Sequence, residues 1–294
     1  MPKIFTFLFL FFVTYLGFSQ ENEIIKQLDL LTQQAKGKLC VYAYHFEDSA
    51  SINYYGDEMC VQQSVFKFPI ALAVLEKIDK GDFSLQHKIH ITAKDMQQET
   101  WSPLRDSFPN GNINVTFENL LKYMVSQSDN IACDVLIHHL GKAKSIEKFV
   151  RKFDIDDIKI RYNEEKMQKN WKNQYKNIGT PKAYVQLLQQ FYDGKIISKP
   201  STDFLYKVMV ETTTGKNRIV NLLPENCIVA HKTGSSGTNK DGMTAATNDV
   251  GIITLPNGKH IGIAIFVQDA FAAYNIIEKT IAETALLIVN HYNK

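Results

Sequence analysis

Hydrophobic residues follow two different periods along this chain, and the period changes twice between its ends. Alternating segments rich in β-branched and aromatic residues lie towards both ends and predict strands at 38–46, 52–55, 227–232, 245–255 and 260–267. Helical spacing fills the middle and predicts helices at 66–80, 117–126, 131–140, 144–153, 181–192 and 202–212, with two more at 21–36 and 274–291. We therefore expect an antiparallel sheet covered by the terminal helices, an all-helical lobe inserted between its strands, and a cleft where the two lobes meet.

The first 19 residues differ from the rest of the chain. Lys3 precedes an almost wholly apolar run at 4–18, and the small residues Gly17 and Ser19 suit a cleavage site before Gln20. This run is shorter than the roughly 20 residues that a membrane-spanning helix needs. We predict a periplasmic mature protein without a stable membrane anchor, and three parts: a signal peptide at 1–19, a discontinuous sheet domain at 20–57 and 214–294, and an all-helical domain at 58–213.

Composition narrows the choice of partners. The chain has 33 Lys and Arg against 31 Asp and Glu, a net charge of +2, so nucleic acid is not expected as a partner. The paired histidines lack the acidic pattern of a zinc hydrolase and the four cysteines lack zinc spacing, so we expect no metal and no cofactor. The cysteines, at 40, 60, 133 and 227, suit either disulfides or buried thiols. We expect the chain to act as a monomer.

Three short motifs carry the chemistry: Ser64-Val-Phe-Lys67, Ser128-Asp129-Asn130 and Lys232-Thr233-Gly234. Each occurs by chance in many proteins, and an isolated Ser-x-x-Lys is usually a helix cap followed by a solvated lysine. Here all three occur in one chain, in this order, roughly 60 and 100 residues apart. Together they predict the nucleophile, the proton relay and the anion clamp of an acyl-transfer enzyme that uses an active serine.

Ser64 is the predicted nucleophile. It lies just before a helical segment, so the free N–H groups of the helix N-terminus stabilise negative charge on its oxygen. Lys67 follows one turn later and is a candidate base, because a serine hydroxyl is a weak nucleophile until its proton is removed. Pro69 removes a helical N–H group, so we expect an irregular first turn or a bend there.

The other two motifs are expected to face the same cleft. Ser128 would give a proton to the leaving nitrogen, and Asn130 would bond both Lys67 and a substrate amide. Asp129 is predicted to cap the helix that follows.

The strand around Lys232 would bind the substrate. Lys232, Thr233 and Ser235 would contact a substrate carboxylate, and Gly234 would let the substrate backbone approach closely. The N–H group of Ser235 would be the second oxyanion donor beside that of Ser64. Arg218 is a further candidate for the carboxylate if segment 215–221 folds against this strand.

The stretches 63–72 and 126–133, with Trp101-Ser-Pro, resemble class A serine β-lactamases, and among these the PER/VEB/CblA-like subgroup. The resemblance implies an α+β fold with a five-stranded antiparallel sheet and an inserted all-helical domain. It also implies hydrolysis of the β-lactam ring of penicillins and cephalosporins, and hence antibiotic resistance. The substrate range that it implies extends to bulky cephalosporins. Trp101 is implied to bind substrate from a loop beside the cleft.

In this family a glutamate on a long loop activates the water that releases the acyl-enzyme. The loop here is 161–180, where Glu164 and Glu165 compete, and the subgroup's Glu-x-x-Met pattern selects Glu164. Gln168 stands where an asparagine commonly helps to hold that water. Gly179 replaces an aspartate that commonly pairs with an arginine to brace the loop, so the loop is expected to differ in geometry.

Other functions share part of this pattern. A penicillin-binding carboxypeptidase or transpeptidase has the three motifs but lacks the deacylating acid, and a β-lactam sensor stays acylated. A metallo-hydrolase needs a ligand cluster that the histidine spacing does not provide. Glu164 favours the hydrolase over the first two.

Overall fold

The structure is a computed structural model of the chain and describes residues 22–293. The signal peptide predicted at 1–19 lies outside this range. Within residues 22–293, none of the helices combines the length and the apolar character needed to cross a membrane.

The chain order of strands and helices follows the predicted pattern. The strands are β1 Lys38–His45, β2 Ala50–Tyr54, β3 Cys60–Val61, β4 Lys88–Ile91, β5 Ile113–Thr116, β6 Ile158–Lys159, β7 Ile178–Gly179, β8 Ile228–Ser235, β9 Thr244–Thr254 and β10 His260–Ala270. The helices are α1 at 22–35, α2 Lys67–Asp79, α3 Pro103–Ser107, α4 Phe117–Ser126, α5 Asn130–His139, α6 Ala143–Val150, α7 Glu164–Gln168, α8 Pro181–Tyr192, α9 Lys199–Val210 and α10 Tyr274–Tyr292.

The main sheet has five antiparallel strands in the order β2-β1-β10-β9-β8. Its strands come from both ends of the sequence, and α2 to α9 come from the segment between them. The predicted α+β fold class is confirmed. The division into domains at 57/58 and 213/214 remains a prediction.

Alternation along the strands builds a core on each face of the sheet. One face packs against the terminal helices, where Leu28 of α1 and Ile281 of α10 meet Ile263 and Ile265 of β10. The other face packs Phe266 into the larger core with the inserted helices. Because successive strand residues point to opposite faces, a single strand such as β10 serves both cores.

Several element ends differ from the sequence-based expectation. Helix α9 begins at Lys199, three residues before the predicted start, because Ser198 caps it by accepting from the N–H of Ser201 and a proline lies in its first turn. The three-stranded sheet β3-β7-β6 and the two-stranded sheet β4-β5 were not predicted, since segments of two to four residues carry no measurable periodicity. The irregular turn expected near Pro69 is confirmed: a 3₁₀ turn, Gln63–Phe66, precedes α2.

All four cysteines are free thiols, and Cys40, Cys60 and Cys133 are buried. The Cys60 thiol donates to the carbonyl oxygen of Glu58 at 3.5 Å. Cys133 lies in the helical core, where burial raises the pKa of its thiol well above the ordinary value. In this structure Cys40, Cys60 and Cys133 therefore act as small buried side chains rather than as cross-links.

Candidate active site

The turn that carries Ser64 is held in place from the main sheet. Asn248 of β9 donates its side-chain amide to the carbonyl oxygens of Val61 and Gln62, at 2.8 and 2.9 Å. Gln63 has a φ of 46°, a left-handed conformation that costs energy for a residue other than glycine. These contacts fix the backbone immediately before Ser64, so the predicted nucleophile lies on a rigid turn at the start of α2.

Lys67 is the centre of a buried hydrogen-bond network. Its side chain is fully buried in α2. Its Nζ lies 3.1 Å from Ser64 Oγ, 2.8 Å from the carbonyl oxygen of Ser128 and 2.5 Å from Asn130 Oδ1. It also lies 2.9 Å from Glu164 Oε1. The Lys67 amine therefore connects the first two motifs and the long loop, as a buried polar group requires hydrogen-bond partners.

Of the two candidate glutamates, only Glu164 faces this network. Its carboxylate is 4 % exposed, and Oε1 accepts from Ser64 Oγ at 3.4 Å. Glu165, the next residue on α7, is exposed and pairs with Lys169 at 2.8 Å. The 100° rotation per helical residue separates the two carboxylates onto different faces. The residue that faces the network is the one that the Glu-x-x-Met pattern selected.

Asp134 of α5 holds the start of α7. Its carboxylate accepts from the backbone N–H groups of Glu164 and Glu165 at 2.8 and 2.9 Å, and from Asn163 Nδ2 at 2.9 Å. Burial, and next the negative charge of Glu164, raise the pKa of Asp134 to about 7. Asp134 was not among the predicted site residues, since an aspartate in a helical run looks like an ordinary surface position.

The rest of the loop is braced without an arginine–aspartate pair. Arg161 pairs with the buried Glu147, at 2.6 Å between Nη1 and Oε2. The Asn177 side chain accepts from the N–H groups of Arg161 and Tyr162 and donates to the carbonyl oxygen of Tyr162, all within 2.8 to 2.9 Å. A Cβ at Gly179 would come within 2.8 Å of a Gln62 side-chain atom and 3.1 Å of a backbone oxygen, so an aspartate there would have to displace the buried Gln62 side chain.

Ser128 and Lys232 face each other across the cleft. Lys232 Nζ donates to Ser128 Oγ at 2.9 Å. Lys232 is fully buried, and this burial, together with the nearby charge of Lys67, holds its pKa well below the ordinary lysine value. Ser128 has a φ of 59°, while Asp129 caps α5 by accepting from Ala132 N–H as predicted.

Strand β8 is the edge of the main sheet and borders the cleft. Ser236 N–H bonds to Ala246 of β9, so the N–H group of the preceding Ser235 points the other way, out of the sheet. Gly234 packs against the turn that carries Ser64. A Cβ there would come within 2.7 Å of the Gln62 carbonyl oxygen and 3.1 Å of the Ser64 nitrogen, so the glycine makes room for the nucleophile turn. Its predicted contact with a substrate remains a prediction.

Arg218 lies against β8, as expected, but it is only 3 % exposed. Its guanidinium contacts Ser235 Oγ at 2.7 Å and pairs with Glu278 of α10 at 3.1 Å. The hydroxyl of Thr233 hydrogen-bonds the hydroxyl of Thr214, which lies in the segment before Arg218, at 2.6 Å. Arg218 therefore lies behind Ser235 in the cavity wall, with its guanidinium bonded to protein groups.

A cavity of about 450 Å³ opens between the two lobes. Ser64, Ser128, Asn130, Thr233 and Ser235 line it, and Trp101, 60 % exposed, stands at its rim. The Trp101 indole donates to the carbonyl oxygen of Gln127 at 2.9 Å, which orients the ring.

Gln168 lies on the exposed side of the long loop. Its side-chain amide donates to Thr100 Oγ1, which also accepts from Asn130 Nδ2 at 2.6 Å. The residue therefore ties the long loop to Asn130 through Thr100, and its predicted part in holding a water remains a prediction. Thr100 was missed because nothing in its local sequence marks a bridging hydroxyl.

Comparison with known proteins identifies the family. The model of the beta-lactamase enzyme family matches residues 22–292, so the chain belongs to that family. Beta-lactamase VEB-1 of Pseudomonas aeruginosa is 44% identical over 285 residues, which are 96% of this chain and 95% of that protein. Extended-spectrum beta-lactamase PER-1 of the same organism is 38% identical over 76% of this chain and 72% of its own length.

Solved structures agree with these relatives. The crystal structure of TLA-3 extended-spectrum beta-lactamase superposes with a TM-score of 0.91 at 43% identity, covering 93% of this chain and 99% of that one. The resemblance to class A enzymes of the PER and VEB type is thereby confirmed.

Proposed function

We propose that this chain hydrolyses the β-lactam ring of penicillins and cephalosporins through an acyl-enzyme on Ser64, and thereby gives antibiotic resistance. The observation that carries the proposal is the meeting of Ser64, Lys67 and Glu164, with Lys67 Nζ 3.1 Å from the hydroxyl and 2.9 Å from the carboxylate. Membership of the beta-lactamase enzyme family supports the substrate class.

In the first step, Ser64 Oγ attacks the carbonyl carbon of the ring. Two groups are placed to take its proton: Lys67 directly, at 3.1 Å, and Glu164 through a water. The negative charge that develops on the carbonyl oxygen is stabilised by the N–H groups of Ser64 and Ser235, the second of which points out of the sheet edge. The C–N bond then breaks and leaves an ester on Ser64.

The leaving nitrogen needs a proton as the C–N bond breaks. Ser128 Oγ is the donor, and Lys232, 2.9 Å away, returns a proton to it. The proton that Lys67 or Glu164 took from Ser64 then passes on to restore Lys232, so Glu164 is again a carboxylate before the second step. The lowered pKa of Lys232 favours this transfer, because it makes the ammonium a better acid. Asn130 holds both Lys67 and the amide side chain of the substrate.

In the second step, Glu164 takes a proton from a water, whose oxygen attacks the ester carbon. The C–O bond to Ser64 breaks, the proton passes back to Ser64 Oγ, and the ring-opened acid leaves. Gln168 acts on this loop through Thr100. A penicillin-binding protein or a sensor lacks this step, so Glu164 beside Ser64 weighs against both alternatives.

Substrate selection follows from the cleft walls. Thr233 and Ser235, which line the cavity, bind the substrate carboxylate with Lys232 buried behind them, and Trp101 supplies an apolar surface at the rim. The names of two relatives describe extended-spectrum enzymes, and the loop of this chain lacks the arginine–aspartate brace. We include bulky cephalosporins among its substrates on these grounds, and place the mature monomer in the periplasm.

The test compares two adjacent carboxylates. Purified mature protein should hydrolyse a chromogenic cephalosporin, and Glu164→Ala should lower the turnover by about 10²- to 10⁴-fold, the range for loss of a general base. Intact mass should then show a long-lived adduct on Ser64. Glu165→Ala, the matched control, should keep the turnover, because that side chain pairs with Lys169 in solvent.

Two results would contradict the proposal. A parent protein that itself accumulates a stable adduct would identify a binding protein or sensor. Loss of deacylation in Glu165→Ala but not in Glu164→Ala would mean that the wrong carboxylate had been assigned.

A further inference from the structure

The guanidinium of Arg218 uses all of its hydrogen-bond capacity within the protein. An arginine side chain has five N–H groups, and each one here has a partner within 3.1 Å: Glu278 Oε1, the carbonyl oxygens of Gly234 and Asn248, Ser235 Oγ and the hydroxyl of Tyr274. No N–H group of Arg218 is therefore left for a ligand in this arrangement. Its effect on a bound anion must pass through the groups that it contacts.

Helix α10 and the turn at Gly215 hold the Arg218 guanidinium in this arrangement. Tyr274 and Glu278 lie four residues apart at the start of α10, so both side chains lie on one face of the helix. From there each one hydrogen-bonds the guanidinium. On the other side, Gly215 has a φ of 72°, and a Cβ there would come within 2.4 Å of Thr233 Cγ2. The segment before Arg218 can thus pack directly on β8.

The hydroxyl of Ser235 is oriented by two donors. Its oxygen accepts from Arg218 Nη2 at 2.7 Å and from the Tyr274 hydroxyl at 3.2 Å. The Tyr274 oxygen in turn accepts from Arg218 Nη2 at 2.8 Å, which directs its own proton towards Ser235. A serine hydroxyl has two lone pairs and one proton. With both lone pairs occupied, the proton is the only group that Ser235 Oγ offers to the cleft.

We propose that Tyr274 is a positioning residue that determines specificity for anionic substrates, because it fixes Ser235 as a donor towards the substrate carboxylate. Tyr274 lines the same cavity as Ser235 and is 40 % exposed. A neutral hydroxyl with a free lone pair accepts as readily as it donates, whereas this one is restricted to donating, which favours a carboxylate over an ester. The inference rests on the proposed β-lactam hydrolysis.

The experiment uses one chromogenic cephalosporin in two forms, with its ring carboxylate free and as the methyl ester. Tyr274→Phe removes only the hydroxyl. We expect kcat/KM for the free acid to fall by about 2- to 10-fold, which corresponds to the net free energy of one hydrogen bond. The value for the ester and the kcat for the acid should change less than about 2-fold, since Tyr274 has no contact with Glu164.

A double-mutant cycle with Ser235→Ala tests the route of the effect. If Tyr274 acts through Ser235, Tyr274→Phe should have no further effect once the serine hydroxyl is gone. Tyr55→Phe is the matched control, since Tyr55 is another exposed tyrosine, 56 % accessible, outside the cleft. Thermal unfolding of each variant checks that it is folded at the assay temperature, since Tyr274→Phe leaves one N–H group of the buried Arg218 without its partner.

Three outcomes would overturn the inference. Equal losses for acid and ester, or a fall in kcat that matches the fall in kcat/KM, would assign Tyr274 a general structural role. Additive effects of the two substitutions would mean that Tyr274 acts independently of Ser235. A parent protein that hydrolyses neither form would refute the proposed function itself, and this inference with it, which is a result distinct from the other two.

Discussion

At Gly234, the addition of a single methyl group should lower the catalytic activity much more than the stability of the fold. The substitution Gly234→Ala places a Cβ 2.7 Å from the Gln62 carbonyl oxygen, 3.1 Å from Gln63 Cβ and 3.1 Å from the Ser64 nitrogen. Ordinary contact begins at 3.4 Å, so the first distance is about 0.7 Å too short. Two of these three atoms belong to the backbone, which cannot turn away as a side chain does.

The free-energy cost of this substitution depends on which backbone segment must move. Either β8 leaves its register with β9, or the turn that carries Ser64 shifts away from β8 by a comparable distance. Overpacking of this kind costs about 1–3 kcal/mol. A displacement of a reacting group by about 1 Å lowers catalysis by about 10²-fold. We therefore expect a folded protein with a moderately lower unfolding free energy and a kcat/KM lowered by up to about 10²-fold.

Urea unfolding and chromogenic cephalosporin hydrolysis measure the two effects on the same sample. Gly237→Ala is the control, because a Cβ at Gly237 meets no atom within 4 Å and lies in the same cavity wall. The control should match the parent in stability and keep most of its activity. If Gly234→Ala behaves like Gly237→Ala in both assays, the close packing of β8 on the nucleophile turn is not what positions Ser64.

Two further predictions concern the long loop. Gly179→Asp should lower the unfolding free energy by about 1–3 kcal/mol, because its Cβ would crowd Gln62 and a backbone oxygen; equal or greater stability in chemical denaturation would contradict this. Asp134 has a folded-state pKa of about 7, above the unfolded value of about 3.9, so the folded state binds more protons between these limits and stability falls as pH rises through them. Asp134→Asn should remove this part of the fall, at most about 1.4 kcal/mol per pH unit, and unfolding curves at about pH 5 and about pH 8 that keep the parent's difference would refute the assignment.

The catalytic motifs could be predicted from the sequence because each is local. Ser64 and Lys67 lie one turn apart, and Lys232 and Gly234 lie two residues apart on one strand, so the backbone alone sets their relative positions. The strands and longer helices could be predicted for the same reason, since their periodicity repeats over ten residues or so. Helix α8, Pro181–Tyr192, was predicted with its observed bounds, because a threonine cap and a proline mark its start.

The supporting residues could not be predicted, because each acts across a long interval of chain. Asp134 holds the backbone of Glu164, 30 residues later. Thr100 joins Asn130 to Gln168. Nothing in the few residues around either position differs from an ordinary helix or loop. The choice between Glu164 and Glu165 rested on a family pattern, and their different burial follows from how α7 is anchored.

By itself, the sequence determined the order of strands and helices and the types of group available for catalysis, since both follow from local backbone preference and from side-chain chemistry. Only the tertiary structure decided which of those groups are buried away from water and which have hydrogen-bond partners. Arg218 illustrates the difference: its charge is plain in the sequence, but its five protein acceptors come from three separate segments. Hydrogen-bond saturation and burial depend on what distant segments bring to a residue, and no local pattern records them.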